Sequence, residues 1–151
     1  MQRIEDDSKK NGTGKTVLVV DDNAPIRKAL ATAFLSDGFK KCEEADNGKE
    51  CIALARRIKP DLIVLDLSMP VMNGLEAATE LRKLFPNLPL ILFTVNDTSF
   101  LEKLASRAGI NLVLSKSVKL STLINEAHKL IAYFCSEAAM SIPAEERLAS
   151  K

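Results

Sequence analysis

Side chains that can bind a cation or a phosphoryl group recur one or two residues after short apolar runs of this 151-residue chain. They are Asp21, Asp22, Asp66, Thr94 and Lys116. Carboxylates that lie close together repel one another, and they stay ionised most easily around a cation. A hard divalent ion such as Mg²⁺ suits them, because it takes oxygen ligands and completes its shell with waters and phosphate oxygens.

Asp66 is the candidate for covalent chemistry. A carboxylate can attack phosphorus to give an aspartyl phosphate, and this transfer needs mainly positioning and charge neutralisation. The ammonium of Lys116 would neutralise phosphoryl oxygens, and the hydroxyl of Thr94 could donate a hydrogen bond to one of them. Each residue alone has an ordinary alternative as a helix cap, a strand-end hydroxyl or a solvated charge. Because these residues all lie at the same end of different strands, a shared cation and phosphoryl site is favoured over these separate roles.

The elements that must position these residues alternate along the chain. Strands are indicated by unbroken aliphatic runs at 17–20, 62–65, 90–93 and 112–114, which are typical of strands buried on both faces, and by a weaker polar run near 40–45. Helical spacing separates the runs. The first predicted helix is capped by Asn23 and ends at Gly38, the second covers 48–58, and the third, over 75–85, stops at Pro86. The fourth carries Phe100, Leu101, Leu104 and Ala108 and stops at Gly109, and the fifth is capped near Ser121.

Five strands alternating with five helices predict an α/β fold with a doubly wound parallel sheet and right-handed crossovers. In such a sheet the residues that follow the strands gather at the carboxyl edge, where ligands bind. We expect a disordered leader over 1–15, one domain over 16–134, and a tail over 135–151 that is too short for an output domain.

Composition narrows the function classes. Lys and Arg total 21 against 20 Asp and Glu, so there is no basic excess to indicate nucleic-acid binding. No apolar run reaches the roughly 18 residues of a membrane span, and the polar N-terminus lacks a signal-peptide core, so a cytoplasmic protein is expected. The three cysteines have no metal-binding spacing.

Four stretches resemble the receiver domain of two-component response regulators. They are VLVVDDNAPIR at 17–27, DLIVLDLSMPVMNGLEA at 61–77, LFTVND at 92–97 and VLSKS at 113–117. The second is the most specific, because an Asp that ends an aliphatic strand is followed by Met-Pro and then Asn-Gly. The resemblance covers roughly 16–134 and implies a flavodoxin-like (βα)5 fold with strand order 2-1-3-4-5.

The resemblance also implies a metal site and a phosphoryl donor. Asp66 would accept the phosphoryl group from a phosphohistidine of a sensor histidine kinase or a histidine phosphotransfer protein. Mg²⁺ would be bound by Asp22, Asp66 and the backbone carbonyl of Ser68, with Asp21 acting mainly through water. Such a phosphoacceptor promotes its own phosphorylation and dephosphorylation and is not an enzyme with a separate substrate.

Signalling would follow from movement at the same site. Thr94 would swing toward the phosphoryl group and Lys116 would pair with it. The change would reach a downstream protein partner, or an onward phosphorelay, through the face formed by the fourth helix, the fifth strand and the fifth helix. Ser68 and Asn96 would line the access route and set the lifetime of the phosphate.

Three positions depart from the family pattern. Val113 replaces the usual aromatic residue, Ser117 replaces a proline, and Val95 replaces a very small residue. These departures motivate an alternative, a degenerate receiver that docks a partner without phosphorylation.

A flavin-binding or hydrolytic enzyme of similar topology is a third alternative. It is disfavoured because Ser68 stands where Asp-based phosphatases carry a second acid. The segment NGTGKT at 11–16 precedes a strand and does not fit a nucleotide-binding loop.

Overall fold

A computed structural model of the protein describes residues 14–96 and 98–140. One sheet contains the parallel strands β1 Thr16–Val20, β2 Lys41–Ala45, β3 Leu62–Leu65, β4 Leu90–Thr94 and β5 Leu112–Ser115. Their order is β2-β1-β3-β4-β5. The predicted fold and strand order are therefore confirmed. Most of the predicted leader, the 11–13 part of NGTGKT, and the predicted tail beyond residue 140 lie outside the described residues.

Five helices connect and follow the strands. They are α1 Ala24–Ser36, α2 Gly48–Ile58, α3 Gly74–Leu84, α4 Thr98–Arg107 and α5 Leu120–Met140. Asparagine caps explain where the first three begin, because Asn23, Asn47 and Asn73 each accept a hydrogen bond from the backbone N–H three residues on. At the start of α3, Glu76 also accepts from the Asn73 N–H and completes a capping box.

The sheet separates two apolar layers. Side chains alternate along β1, so Leu18 and Val20 belong to the layer covered by α2, α3 and α4, and Val17 and Val19 belong to the layer covered by α1 and α5. These four side chains are at most 1% exposed. The polar residues that follow the strands are thereby anchored on a rigid support.

Three features of these elements were not indicated by the sequence pattern. On α4, the helix that Phe100, Leu101 and Leu104 helped to predict, Leu101 is buried, whereas Phe100 and Leu104 are 73% and 40% exposed. Strand β5 is half-buried, not covered on both faces, because it forms an edge of the sheet. Helix α5 begins at Leu120, before the cap expected near Ser121. Within the described ranges, no helix combines the length and apolar character needed to cross a membrane.

Candidate metal and phosphoryl site

Backbone hydrogen bonds of the sheet continue one residue past the strands and place the predicted side chains next to one another. The Asp66 N–H donates to the carbonyl of Val20 over 2.9 Å, and the Lys116 N–H donates to the carbonyl of Thr94 over 2.8 Å. The Asp21 N–H donates in the same way to the last residue of β2, over 3.1 Å. Backbone hydrogen bonds thus hold three polar residues at the carboxyl edge of the sheet, with Thr94 of β4 between Asp66 and Lys116.

Three carboxylates converge at this edge. Asp21, Asp22 and Asp66 each offer an oxygen, and these oxygens all lie within 4.8 Å of one another. Asp21 and Asp66 are buried, at 2% and 7% exposure, while Asp22 is exposed. The cluster therefore has two fixed, desolvated acids and one that faces solvent.

Lys116 supplies the positive charge that contacts this cluster. Its Nζ lies 2.5 Å from Asp21 Oδ2 and 3.4 Å from Asp66 Oδ1. One ammonium against three carboxylates leaves about two negative charges uncompensated. Oxygen ligands with that charge fit a hard divalent cation, so the residues present suit Mg²⁺.

The environment of Asp66 raises the pKa of its carboxyl group above the ordinary value of 3.8. Burial is the main cause and the charge of Asp21 is the second, while Lys116 and the backbone N–H of Leu67 act in the opposite direction. Within the described part of the chain, both partners contact Oδ1, with the Leu67 N–H at 2.9 Å. Among the residues that the structure describes, no donor contacts Oδ2.

A serine turn holds the backbone on both sides of Lys116. The Ser117 N–H donates to Ser115 Oγ over 3.0 Å, and the two hydroxyl oxygens are 2.8 Å apart. The Lys116–Ser117 peptide bond is trans, as expected for a non-proline residue. A proline at position 117 would have no N–H to donate, so this chain fixes its lysine by hydrogen bonds in place of a ring.

The hydroxyl of Thr94 is hydrogen-bonded to Asn96, a residue for which the sequence predicted only a place on the access route to the phosphate. Thr94 Oγ1 donates to Asn96 Oδ1 over 2.9 Å and accepts from the Asn96 N–H over 3.2 Å. Thr94 is fully buried, whereas Asn96 is exposed. Hydrogen bonds between polar residues two positions apart are common in turns, and this spacing is the one sequence feature that could have indicated the contact between Thr94 and Asn96.

The loop between β3 and α3 borders the acidic cluster. Ser68 is exposed and contributes to an open cleft of about 640 Å³. The other lining residues are Asp22, Leu67, Met69, Pro70 and Asn73. This cleft provides room beside the carboxylates, and the role of the Ser68 carbonyl as a metal ligand stays a prediction.

Val71 in this loop has an unfavourable backbone conformation. Its φ is 68°, and the Met72 N–H donates across it to the Pro70 carbonyl over 2.6 Å, which forms a tight γ-turn. β-Branched residues rarely adopt positive φ, whereas asparagine tolerates it. The Val71 side chain is 74% exposed and contributes little burial.

We therefore expect Val71→Asn to raise the free energy of unfolding by about 1 kcal/mol, measured by urea denaturation. Val95→Asn is the matched control, because Val95 is 76% exposed and has no positive φ. The control should change stability by less than about 0.5 kcal/mol. Equal effects of the two substitutions would show that the turn at Val71 is not strained.

Comparison with known proteins agrees with this geometry. Residues 17–128 match the family model described as the response regulator receiver domain. The chain is 32% identical over 117 residues to the chemotaxis protein CheY of Thermotoga maritima, covering 78% of this chain and 98% of that protein. It is 31% identical to the response regulator GacA of Pseudomonas aeruginosa, covering 77% of this chain and 55% of that protein. The receiver domain of a Francisella response regulator superposes with a TM-score of 0.73 at 28% identity, covering 79% and 98% of the two chains.

Proposed function

The chain belongs to the response regulator receiver family, and from this premise we propose that it accepts a phosphoryl group on Asp66 and signals by the resulting change of shape. One observation carries the proposal. The carboxylates of Asp21, Asp22 and Asp66 lie within 4.8 Å of one another, and Lys116 contacts two of them. The residues proposed as nucleophile, as cation ligands and as the neutralising ammonium are therefore already close together without a phosphoryl group.

The donor in this proposal is a phosphohistidine of a sensor kinase or a phosphotransfer protein. An oxygen of Asp66 forms a bond to phosphorus while the bond from phosphorus to the imidazole nitrogen breaks, and that nitrogen keeps the electron pair. Asp21, Asp22 and Asp66, with the carbonyl of Ser68, would hold Mg²⁺. When bound, the ion would neutralise charge on the phosphoryl oxygens. Lys116 neutralises charge from the other side, and burial of Asp66 keeps competing water away from the nucleophile.

Output would begin at Thr94 and Lys116, which offer a hydroxyl and an ammonium at the same edge of the sheet. A phosphoryl group offers Lys116 a new partner, which competes with the contact to Asp21, and offers the Thr94 hydroxyl an acceptor. Both residues terminate neighbouring strands and are joined by the backbone bond from Lys116 to Thr94. The side chains that change partners, and the short segments 95–96 and 117–119 that follow the two strands, would carry the change to α4 and α5. The partner would read the face formed by α4, β5 and α5.

The direct test is phosphoryl incorporation from acetyl phosphate with Mg²⁺. We expect wild-type protein to be labelled, Asp66→Asn to show only background, and chelation of Mg²⁺ to abolish labelling of the wild type. Asp46→Asn is the matched control, because Asp46 follows β2 at the same sheet edge but is exposed and outside the cluster. Labelling that survives in Asp66→Asn would overturn the proposal.

A second candidate function is phosphorylation-independent docking of a partner. The observation that favours it is the exposed apolar side of α4, where Phe100 and Leu104 are 73% and 40% exposed next to a β5 strand that carries Val113. In that case partner affinity would be unchanged by Asp66→Asn and by removal of Mg²⁺. A loss of partner affinity on either treatment would dismiss it.

A further inference from the structure

The single hydroxyl proton of Thr94 is already donated in a hydrogen bond. A threonine hydroxyl has one O–H donor, and here it points to Asn96 Oδ1 at 2.9 Å. The Asn96 N–H returns a bond of 3.2 Å to the same oxygen. Because Thr94 is fully buried, these bonds also satisfy a polar group that water cannot reach.

From this geometry we infer that Asn96 is the resting-state acceptor for Thr94 and competes with the phosphoryl group on Asp66 for its proton. The inference rests on the proposed function, because the competitor is the group placed on Asp66. The hydroxyl can donate to a phosphoryl oxygen only if it leaves Asn96 Oδ1. Asn96 thereby acts as a positioning residue, because its hydrogen bond to Thr94 stabilises the resting arrangement relative to the active one.

The relative strengths of the two hydrogen bonds make the competition reversible. The bond to the Asn96 amide oxygen is between neutral groups, whereas a bond to a phosphoryl oxygen is charge-assisted and roughly twice as strong. The phosphoryl group therefore wins when it is present, and Asn96 regains the proton when it leaves. The cost of release is small because Asn96 is exposed, so water can hydrate its freed oxygen.

The surroundings of the turn permit this exchange without repacking the core. Val95, between the two partners, is 76% exposed and anchors nothing in the interior. The Thr94 backbone stays fixed because its carbonyl accepts from the Lys116 N–H over 2.8 Å. Rotation of the hydroxyl and rearrangement of residues 95 and 96 are therefore separable from the sheet.

The test is a double-mutant cycle with beryllofluoride in saturating Mg²⁺, where beryllofluoride serves as the phosphoryl analogue and its affinity is measured by fluorine or amide NMR. Asn96→Ala removes the side-chain acceptor but keeps the backbone N–H. We expect it to tighten beryllofluoride binding about fivefold in the wild-type background. In a Thr94→Val background, which has no hydroxyl proton, the same Asn96→Ala substitution should change the affinity by less than about 1.5-fold.

A merely steric role for Asn96 would give the same change in both backgrounds and would overturn the inference. Unchanged or weaker binding in Asn96→Ala alone would also overturn it. Failure of the proposed function would give a different result, because wild-type protein would then not bind beryllofluoride at all. The amide resonance of Asn96 in unliganded protein gives an independent readout. It should shift in Thr94→Val as the bond to Thr94 is lost, and an unmoved resonance would contradict the resting contact.

Discussion

Gly74→Ala is expected to lower the free energy of unfolding by about 2–4 kcal/mol and to abolish most phosphoryl incorporation. A Cβ at position 74 would collide with the backbone carbonyl oxygen of Asp66. It would also approach the Asp66 carbonyl carbon and the Leu67 Cα to 3.1 Å. These are backbone atoms of the rigid strand end, so they cannot move aside as a flexible side chain would.

The same collision explains why stability and function should fall together. The Gly74 N–H donates to the Leu67 carbonyl over 2.9 Å, which holds the start of α3 against the end of β3. Relief of the clash must displace either this helix start or Asp66 itself. Urea denaturation and acetyl phosphate labelling of the folded fraction measure the two effects.

Gly14→Ala is the control for loss of a glycine as such. Gly14 has a positive φ of 71°, but a Cβ there would meet nothing within 4 Å. The control should cost about 1 kcal/mol and leave labelling intact. If Gly74→Ala were as stable and as readily labelled as the control, the tight packing of α3 on Asp66 would be wrong.

Asp66→Asn is expected to stabilise the magnesium-free protein at neutral pH by about 1–3 kcal/mol. Burial and the charge of Asp21 raise the pKa of the Asp66 carboxyl group above 3.8, so the folded state binds this proton more tightly than the unfolded chain does. Stability contributed by the protonated form is therefore lost as pH rises from about 4 through the raised pKa. The amide of asparagine has no charge to bury and removes the penalty.

Thermal or urea unfolding between pH 4 and pH 8 in a chelator measures this difference. The advantage of Asp66→Asn over the wild type should grow as pH rises through that window and then remain constant. Asp46→Asn should parallel the wild type, because Asp46 is exposed. A constant difference between Asp66→Asn and the wild type at all pH values would contradict the assigned cause.

Magnesium should reverse the ranking found in a chelator. An ion that binds the folded state alone stabilises it in proportion to the logarithm of its concentration. Wild-type protein, with three carboxylates, should gain more from millimolar Mg²⁺ than Asp66→Asn, which keeps two. The negative charge expected to weaken the metal-free protein is thus the same charge that would bind the ion.

Much of the fold was readable because its strongest signals are local. Unbroken aliphatic runs marked β1, β3 and β4, and Asn23, Asn47 and Asn73 stand where three helices begin. Periodicity could not show which apolar side chains of α4 are buried, since that depends on what covers the helix. The strand order came from the family resemblance, because pairing between distant segments leaves no mark in a single sequence.

The site was predictable at the level of elements and not of individual contacts. Residues that follow parallel strands must share an edge, which brought Asp21, Asp66 and Lys116 together. The closer contact of Lys116 with Asp21, and the bond between Thr94 and Asn96, depend on side-chain geometry that residue spacing does not encode. The contacts of the half-buried His128, which pairs with Asp37 and packs on Phe39, are likewise not encoded by residue spacing.

Chemical mapping of the phosphorylated residue tests the central claim most directly. Wild-type protein treated with acetyl phosphate and Mg²⁺ is reduced with borohydride, which converts an aspartyl phosphate to homoserine, and its peptides are sequenced by mass spectrometry. The account predicts homoserine at position 66 and at no other aspartate, and only when Mg²⁺ is present. Homoserine at position 21 or 22, or phosphate retained on a serine, threonine or histidine, would contradict it.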